Sequence, residues 1–438
     1  MKTVHFRRIL SWIVALALPA VVARGGETEA LLQILVRKGL LTESEAAEVR
    51  AEMAAGESTS AAAPTPVPRA APATPPAATQ PAPVVVKPAG KLIESLALSG
   101  RVQVQAYALG SDRDVPAANR FILRRVYLGA KAATANDWSV DVTYDFAGAG
   151  FDKAVAGWTG DLGFGPVAVQ AGLRKTFVSY EENLSSGSLN AIERSGATRY
   201  FVESNNGRRL GAGGYRTGVF FEGNPDAIKG KTSGWYYGVA VTNPERPADA
   251  VGAGGGGSPG INSPALWAHT GFSGRINDGS FLIGATAGRL PDSGGRIATA
   301  SQDLLVYTLY ADLRVGAWRL AGEYLGADVE GGLGIGADSS PDAFWVQGEY
   351  AFDARWMGVL RYSQADSAGR GVRTSDGVRS APSDLVGDKL DELYAGFNYD
   401  LKGTDLRFQL GYVYGRASGN AAGDETVTGV RSQVQVNF

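Results

Sequence analysis

The chain has 438 residues, no cysteine, two histidines, and 42 basic against 44 acidic side chains. The missing thiols exclude disulfides, thiolate catalysis and cysteine-ligated metals, and His5 and His269 alone leave almost nothing for a histidine-based triad or metal site. A net charge near zero gives no bulk field for nucleic acid, so no nucleic-acid partner, cofactor or metal is implied.

Lys2, Arg7 and Arg8 precede an apolar run over residues 9–22 that ends in small side chains. This is the pattern of a secretory signal peptide over residues 1–23, cut near Ala23. Residues 24–53 read as a short periplasmic helical segment. Leu31, Leu32, Ile34 and Leu35 form its apolar face, and Thr42 with Glu45 makes a capping box for a second piece. Residues 54–90 repeat Pro among Ala and Thr, a composition that stays extended and builds no core. They read as a linker.

From Ser95 onward the apolar period is two. The clearest case is the last stretch, where Val430, Ser432, Val434, Val436 and Phe438 share one face and Arg431, Gln433, Gln435 and Asn437 the other. Such a strand has lipid on one side and water on the other, and a terminal Phe resembles the closing strand of a bacterial outer-membrane barrel. Its expected partner is the first strand, residues 95–109, whose Arg101, Gln103 and Gln105 echo Arg431, Gln433 and Gln435. Ten clear and several weaker alternating stretches, with the closing strand, bring the count to about 16. Tight turns at 135–136, 277–278, 316 and 402–403 interleave with long polar links such as 177–207, 243–264 and 365–387. Trp138, Trp318 and Trp356 open strands beside short turns on the apolar face, which a soluble sandwich would not need but a membrane barrel uses as an interfacial girdle. The expected fold is therefore all-β: a transmembrane antiparallel β-barrel over residues 91–438, preceded by the helical segment and the Pro/Ala-rich linker. Outer-membrane lipid would surround it.

On the opposite face, alternation turns Arg101, Arg125, Lys131 and Arg174 toward the lumen, and likewise Arg319, Arg355, Arg361, Arg407 and Arg431. Asp141, Asp145, Glu323, Glu349 and Glu392 face the same way. Charges lining a narrow aqueous pore set ion preference, and the expectation is a mild preference for anions. Two enzyme-like matches fail. Gly256-Gly257-Ser258-Pro259-Gly260 lies in a glycine run rather than on a strand-to-helix elbow. Gly230-Lys231-Thr232 lacks the leading glycine of a phosphate loop, Pro225 standing there. No catalytic residue is expected.

Arg124-Arg125-Val126-Tyr127-Leu128-Gly129, then Asp137-Trp138-Ser139 and Tyr144-Asp145-Phe146-Ala147-Gly148, resemble the phosphate-selective porin O and P family. Glu193-Arg194-Ser195 and Gly207-Arg208-Arg209-Leu210-Gly211 look like later landmarks of the same family. The resemblance implies a 16-stranded homotrimeric porin whose long third loop, residues 177–207, folds into the lumen as a constriction. It implies basic residues at that constriction, here Arg174, Lys175, Arg194, Arg199, Arg208 and Arg209, in addition to Arg101 and Arg125. Glu181, Glu182, Glu193 and Glu203 stand among them. The expected function is passive diffusion of small hydrophilic solutes, with anions or phosphate preferred. The alternative is a structural anchor tethered to peptidoglycan through the helical segment and linker.

Overall fold

The computed structural model describes residues 84–86, 93–163, 165–203, 208–244, 264–291, 303–330, 338–383 and 385–438. The signal peptide, the helical segment and most of the linker lie outside the described residues.

The strands are β1 (Val84–Val86), β2 (Ile93–Ser111), β3 (Ala118–Thr134), β4 (Trp138–Asp145), β5 (Gly150–Asp161) and β6 (Pro166–Lys175). Then come β7 (Tyr215–Gly223), β8 (Gly234–Thr242), β9 (Ala265–Ile276), β10 (Gly279–Leu290), β11 (Asp303–Val315) and β12 (Trp318–Glu330). The last five are β13 (Asp342–Ala351), β14 (Trp356–Asp366), β15 (Lys389–Asp400), β16 (Leu406–Ser418) and β17 (Glu425–Asn437). From β2 to β17 each strand pairs antiparallel with the next, and β17 pairs with β2, which closes a barrel of 16 strands. Closure leaves no unpaired edge in the hydrocarbon layer.

The expected seam forms. Gln435 lies opposite Gln103 and Gln433 opposite Gln105, with amide hydrogen bonds of 2.6 and 2.9 Å across each pair. Phe438 continues the ladder, its N–H and C=O both bonded to Gly100 at 3.1 and 2.7 Å. A side chain at position 100 would collide with the Phe438 ring, so Gly100 is the residue that admits this close approach.

Val84–Val86, within the expected extended linker, pairs with Leu96–Leu98 of β2. β2 runs beyond the end of β17, and its overhanging edge, left unpaired below Phe438, accepts a short strand.

Outside, the period of two holds: Leu305, Tyr307, Leu309 and Leu313 of β11 are exposed, with Trp138, Trp235, Trp318 and Trp356 at the short-turn end. Two of those turns use left-handed residues, Asn136 (φ 64°) and Asn277 (φ 49°), which Asn tolerates well. Inside, the face of β9–β13 is not uniformly polar. Trp267, Leu304, Val306, Leu325 and Trp345 are buried there and form one cluster with Phe177, Val178, Tyr200, Phe201 and Leu210. Those last five come from the link between β6 and β7, so part of the lumen is a packed hydrophobic core.

Candidate functional site

The link between β6 and β7 is the long third loop, and it enters the barrel. It carries two short helices, α1 (Tyr180–Asn183) and α2 (Gly196–Val202). Each starts on a serine: Ser179 Oγ accepts from Glu182 N at 3.2 Å and Ser195 Oγ from Thr198 N at 3.1 Å, as N-caps do. A second segment, between β14 and β15, folds in beside it with helix α3 (Thr374–Gly377). The two are tied by ions. Arg379 reaches Glu193 at 3.0 Å and also pairs with Glu203. Arg209 bridges Glu203 (2.7 Å) and Asp376 (3.1 Å).

These segments fill the lumen along β12–β17, and the arginines there are consumed in holding them. Arg361 joins Glu181 of the loop to Glu392 of the wall at 3.0 and 2.9 Å. Arg407 pairs with Asp400 and donates to Asn190 Oδ1 at 2.9 Å. Arg319 sits between Asp312 and Glu349, 2.6 Å from each. Arg431 donates to Gln105 and to the carbonyl of Arg379. All four are buried. Alternation placed them inward correctly; the inserted segments remove them from the pore. Arg355 is exposed at a turn rather than turned into the lumen. His269 is inward but buried under the loop, stacked on Phe177 at 4.0 Å.

Open space remains on the other side, a cavity of about 1370 Å³ bounded by β2–β7 and the loop. Its lining runs from Asp137, Asp161 and Pro166 beside the short turns to Gly148 and Gly150 at the opposite rim. Two β-bulges shape it. The β2–β3 register passes from Gln103↔Arg125 to Val104↔Leu123, which leaves Arg124 as the extra residue. The β4–β5 register passes from Thr143↔Lys153 to Tyr144↔Phe151, which leaves Asp152 extra. A bulge re-aims the side chain it carries. Both Arg124 and Arg125 therefore point inward, Arg124 clamping Glu193 with both its carboxylate oxygens (2.5 and 3.1 Å) and Arg125 donating to Gln103 at 2.8 Å. Asp152 accepts from the Tyr215 hydroxyl.

At loop level Arg101 donates to Asn437 (2.8 Å), Ser186 (2.7 Å) and Ser185 (3.1 Å), with its guanidinium 5.6 Å from the Tyr127 ring centre. Lys175 and Arg194 share Glu182 at 3.0 and 2.9 Å. Burial would raise the Glu182 carboxyl, but Arg194 and Lys175 outweigh it and hold it below its ordinary range. Burial likewise opposes Glu193, yet Arg124 and Arg379 keep it well below that range. At this level Arg101, Arg124, Arg125, Lys175 and Arg194 meet Asp145, Asp152, Glu182 and Glu193, a formal excess of one positive charge. Arg101 and Arg125 have no carboxylate partner.

The remaining sequence-derived candidates scatter. Arg174 pairs with Glu222 at 2.5 Å at the cavity wall. Arg199 is buried, bonded to Glu203 at 3.0 Å and to the Gly377 carbonyl. Arg209 belongs to the ion network between segments, and Arg208 runs beside Gly371. Sequence reasoning missed Arg124, Asp152, Tyr127 and Tyr215 as site residues. The one available signal was the Arg124-Arg125 pair itself, since strict alternation cannot turn neighbours to one face without a bulge.

Solved structures share this architecture. An anion-selective porin from Comamonas acidovorans matches with TM-score 0.54 and 13% identity, over 78% of this chain and 99% of that one. The outer membrane channel DcaP of Acinetobacter baumannii matches with TM-score 0.50 and 14% identity, over 78% and 97%. At such identity the likeness is one of fold. No curated protein sequence matches the chain. The family model for phosphate-selective porin O and P covers residues 96–438, and with the closed barrel and its inserted third loop the chain belongs to that family of outer-membrane channels.

Proposed function

We propose that this outer-membrane channel passes small hydrophilic anions in preference to cations, through the constriction between the third loop and β2–β7. One observation carries the reading: Arg101 and Arg125 border the open cavity without a carboxylate partner. The carboxylates Glu182 and Glu193 at the same level are each shared by two cations. A field of uncompensated guanidinium in a narrow aqueous passage favours the counter-ion. Lys175, Arg194, Arg124 and Arg174 take a supporting part, since their charges are bridged. Arg199, Arg208 and Arg209 act in holding the inserted segments. Phosphate is one candidate anion. The test is a planar-bilayer reversal potential in a salt gradient: a sign corresponding to anion flow supports the reading, and cation preference overturns it. Block of chloride current by phosphate would report a phosphate site.

The working unit we propose is a homotrimer, with no catalytic step. Phe121, Leu123 and Phe146 stand outward near the long-loop end of β3 and β4, an apolar surface suited to a neighbouring barrel. Cross-linking in detergent, with Phe121→Lys as the disrupting variant, tests it.

A second reading has its own observation. β1 pins residues 84–86 to the overhang of β2 at the short-turn end, which is the periplasmic end of such barrels. In this reading residues 24–83 serve as the tether to peptidoglycan. Deleting residues 27–90 with conductance intact but envelope integrity lost supports this tether; intact integrity removes it.

A further inference from the structure

Among the described residues ten carboxylates are buried. Eight of them meet an arginine or lysine, as Asp312 and Glu349 meet Arg319. The two that do not are Glu323 on β12 and Glu425 on β17. Their partners are all neutral donors, and they divide in a telling way.

Glu323 accepts from Tyr180 N at 2.7 Å, Ser179 Oγ at 2.9 Å, Trp345 Nε1 at 3.1 Å and Glu181 N at 3.4 Å. Three of those donors are the first residues of the third loop's α1. Glu425 accepts from Ser383 Oγ at 2.7 Å, Ser111 Oγ at 3.1 Å and Thr374 Oγ1 at 3.2 Å. Two of those donors belong to the second inserted segment. Each segment thus meets one wall carboxylate that has no cation of its own.

A buried carboxylate is tolerated only while its hydrogen bonds are made. The other buried acids of the wall, Asp312, Glu349, Glu392 and Asp400, each keep a wall arginine wherever the loop lies. Glu323 and Glu425 would lose most of their donors if the segments withdrew. Their energy depends on segment position, and they favour the inserted state alone. We propose that Glu323 and Glu425 are positioning residues that latch the two inserted segments to the wall and so set the bore of the channel. The inference is independent of which ion the channel prefers.

The test is single-channel recording of E323Q and E425Q in planar bilayers, with folded barrels verified by unheated gel mobility. A glutamine keeps the shape but loses the charge and presents an amide donor toward Tyr180 N and Ser179 Oγ. Losing the hydrogen bonds that Tyr180 N and Ser179 Oγ donate to the carboxyl should raise occupancy of a wider, higher-conductance level about tenfold or more in E323Q. Reversal potential should drift toward zero in that level. E323D, which keeps the charge, should lie between parent and E323Q. E425Q should act in the same direction more weakly, because its segment meets the constriction indirectly, through ties to the third loop at Arg379, Arg209 and Arg199. If E323Q fails to fold, S179G carries the test: φ at Ser179 is 67°, a conformation glycine accepts, so the hydroxyl is removed without backbone strain. Folded E323Q or S179G channels with the parent's conductance, open-channel noise and reversal potential would overturn the proposal. So would E323Q barrels that are merely less stable and conduct as before.

Discussion

Arg125 on β3 and Arg361 on β14 begin alike: one side chain on the inner face of a half-polar strand. Arg361 is enclosed by two carboxylates, one from the wall and one from the third loop. Arg125 is buried too, but it bonds a single glutamine and lines the edge of the open cavity. The difference lies in what the rest of the chain brings opposite. Along β12–β17 the inserted segments arrive and convert lumen charge into structure. Along β2–β7 they stop short, and charge stays available to solute. Position on a strand therefore decides that a charge faces inward, and the loops decide whether it acts on ions.

The largest test of that contrast is Arg361→Ala. It strands Glu181 and Glu392 in the interior, and breaking a buried pair this way costs about 3–5 kcal/mol. Urea or thermal unfolding in detergent should show the loss, or the barrel should fail to assemble. Arg101→Ala should leave unfolding nearly unchanged and act on selectivity; Arg125→Ala should act on selectivity too, at a stability cost of about 1–3 kcal/mol for the buried Gln103 oxygen it strands. A unit charge at 4 Å in water is worth about 1 kcal/mol, so the anion-to-cation permeability ratio should fall roughly five-fold for each, measured by reversal potential. If R361A shifts selectivity and R101A shifts stability, the division between the halves is wrong.

Smaller still is Lys153→Ala. Its 2.7 Å pair with Asp141 is partly exposed, and pairs open to solvent are worth about 0.2–1 kcal/mol, close to the resolution of an unfolding midpoint. The smallest expected effect is from mild acid. Burial opposes ionisation of Glu193 and Glu203, but Arg124 and Arg379 on the first and Arg199 and Arg379 on the second hold both carboxyls below the ordinary 4.5. Their folded values are depressed, so the stability they add is complete above 4.5 and is lost only as pH falls through the lower values. Between pH 7 and 5 the ion pairs that join the two segments to each other should hold, and an unfolding midpoint followed across that interval should show no step from Glu193 or Glu203.

Much of the barrel was legible beforehand for a simple reason. A strand between lipid and water must alternate, and a two-residue period survives in one dimension: β2 spans residues 93–111, within two residues at each end of the 95–109 that alternation put there. The amide seam between β2 and β17 was readable from like residues at like positions. The three-residue strand β1 carried no such sign, because backbone pairing to an overhang asks little of side chains. Arg124 and Asp152 were unreadable as lumen groups because a bulge changes facing by one residue, and its cause lies in the partner strand's register. Arg199 could not be separated from Arg194 by composition, since both lie in the same polar loop.

By itself the sequence determined the class of solvent on each face: apolar every second residue toward lipid, polar toward water, and a chain that must close on itself to leave no edge. It also located the loop that narrows the pore. Only the tertiary structure decided which lumen charges remain charges for a passing solute. That outcome depends on two segments, far apart in sequence, occupying one side of the barrel and bringing Glu181, Glu193 and Glu203 within ion-pairing distance of arginines. Coulomb energy falls off over a few ångströms, so placement at that scale separates a structural pair from a selectivity filter.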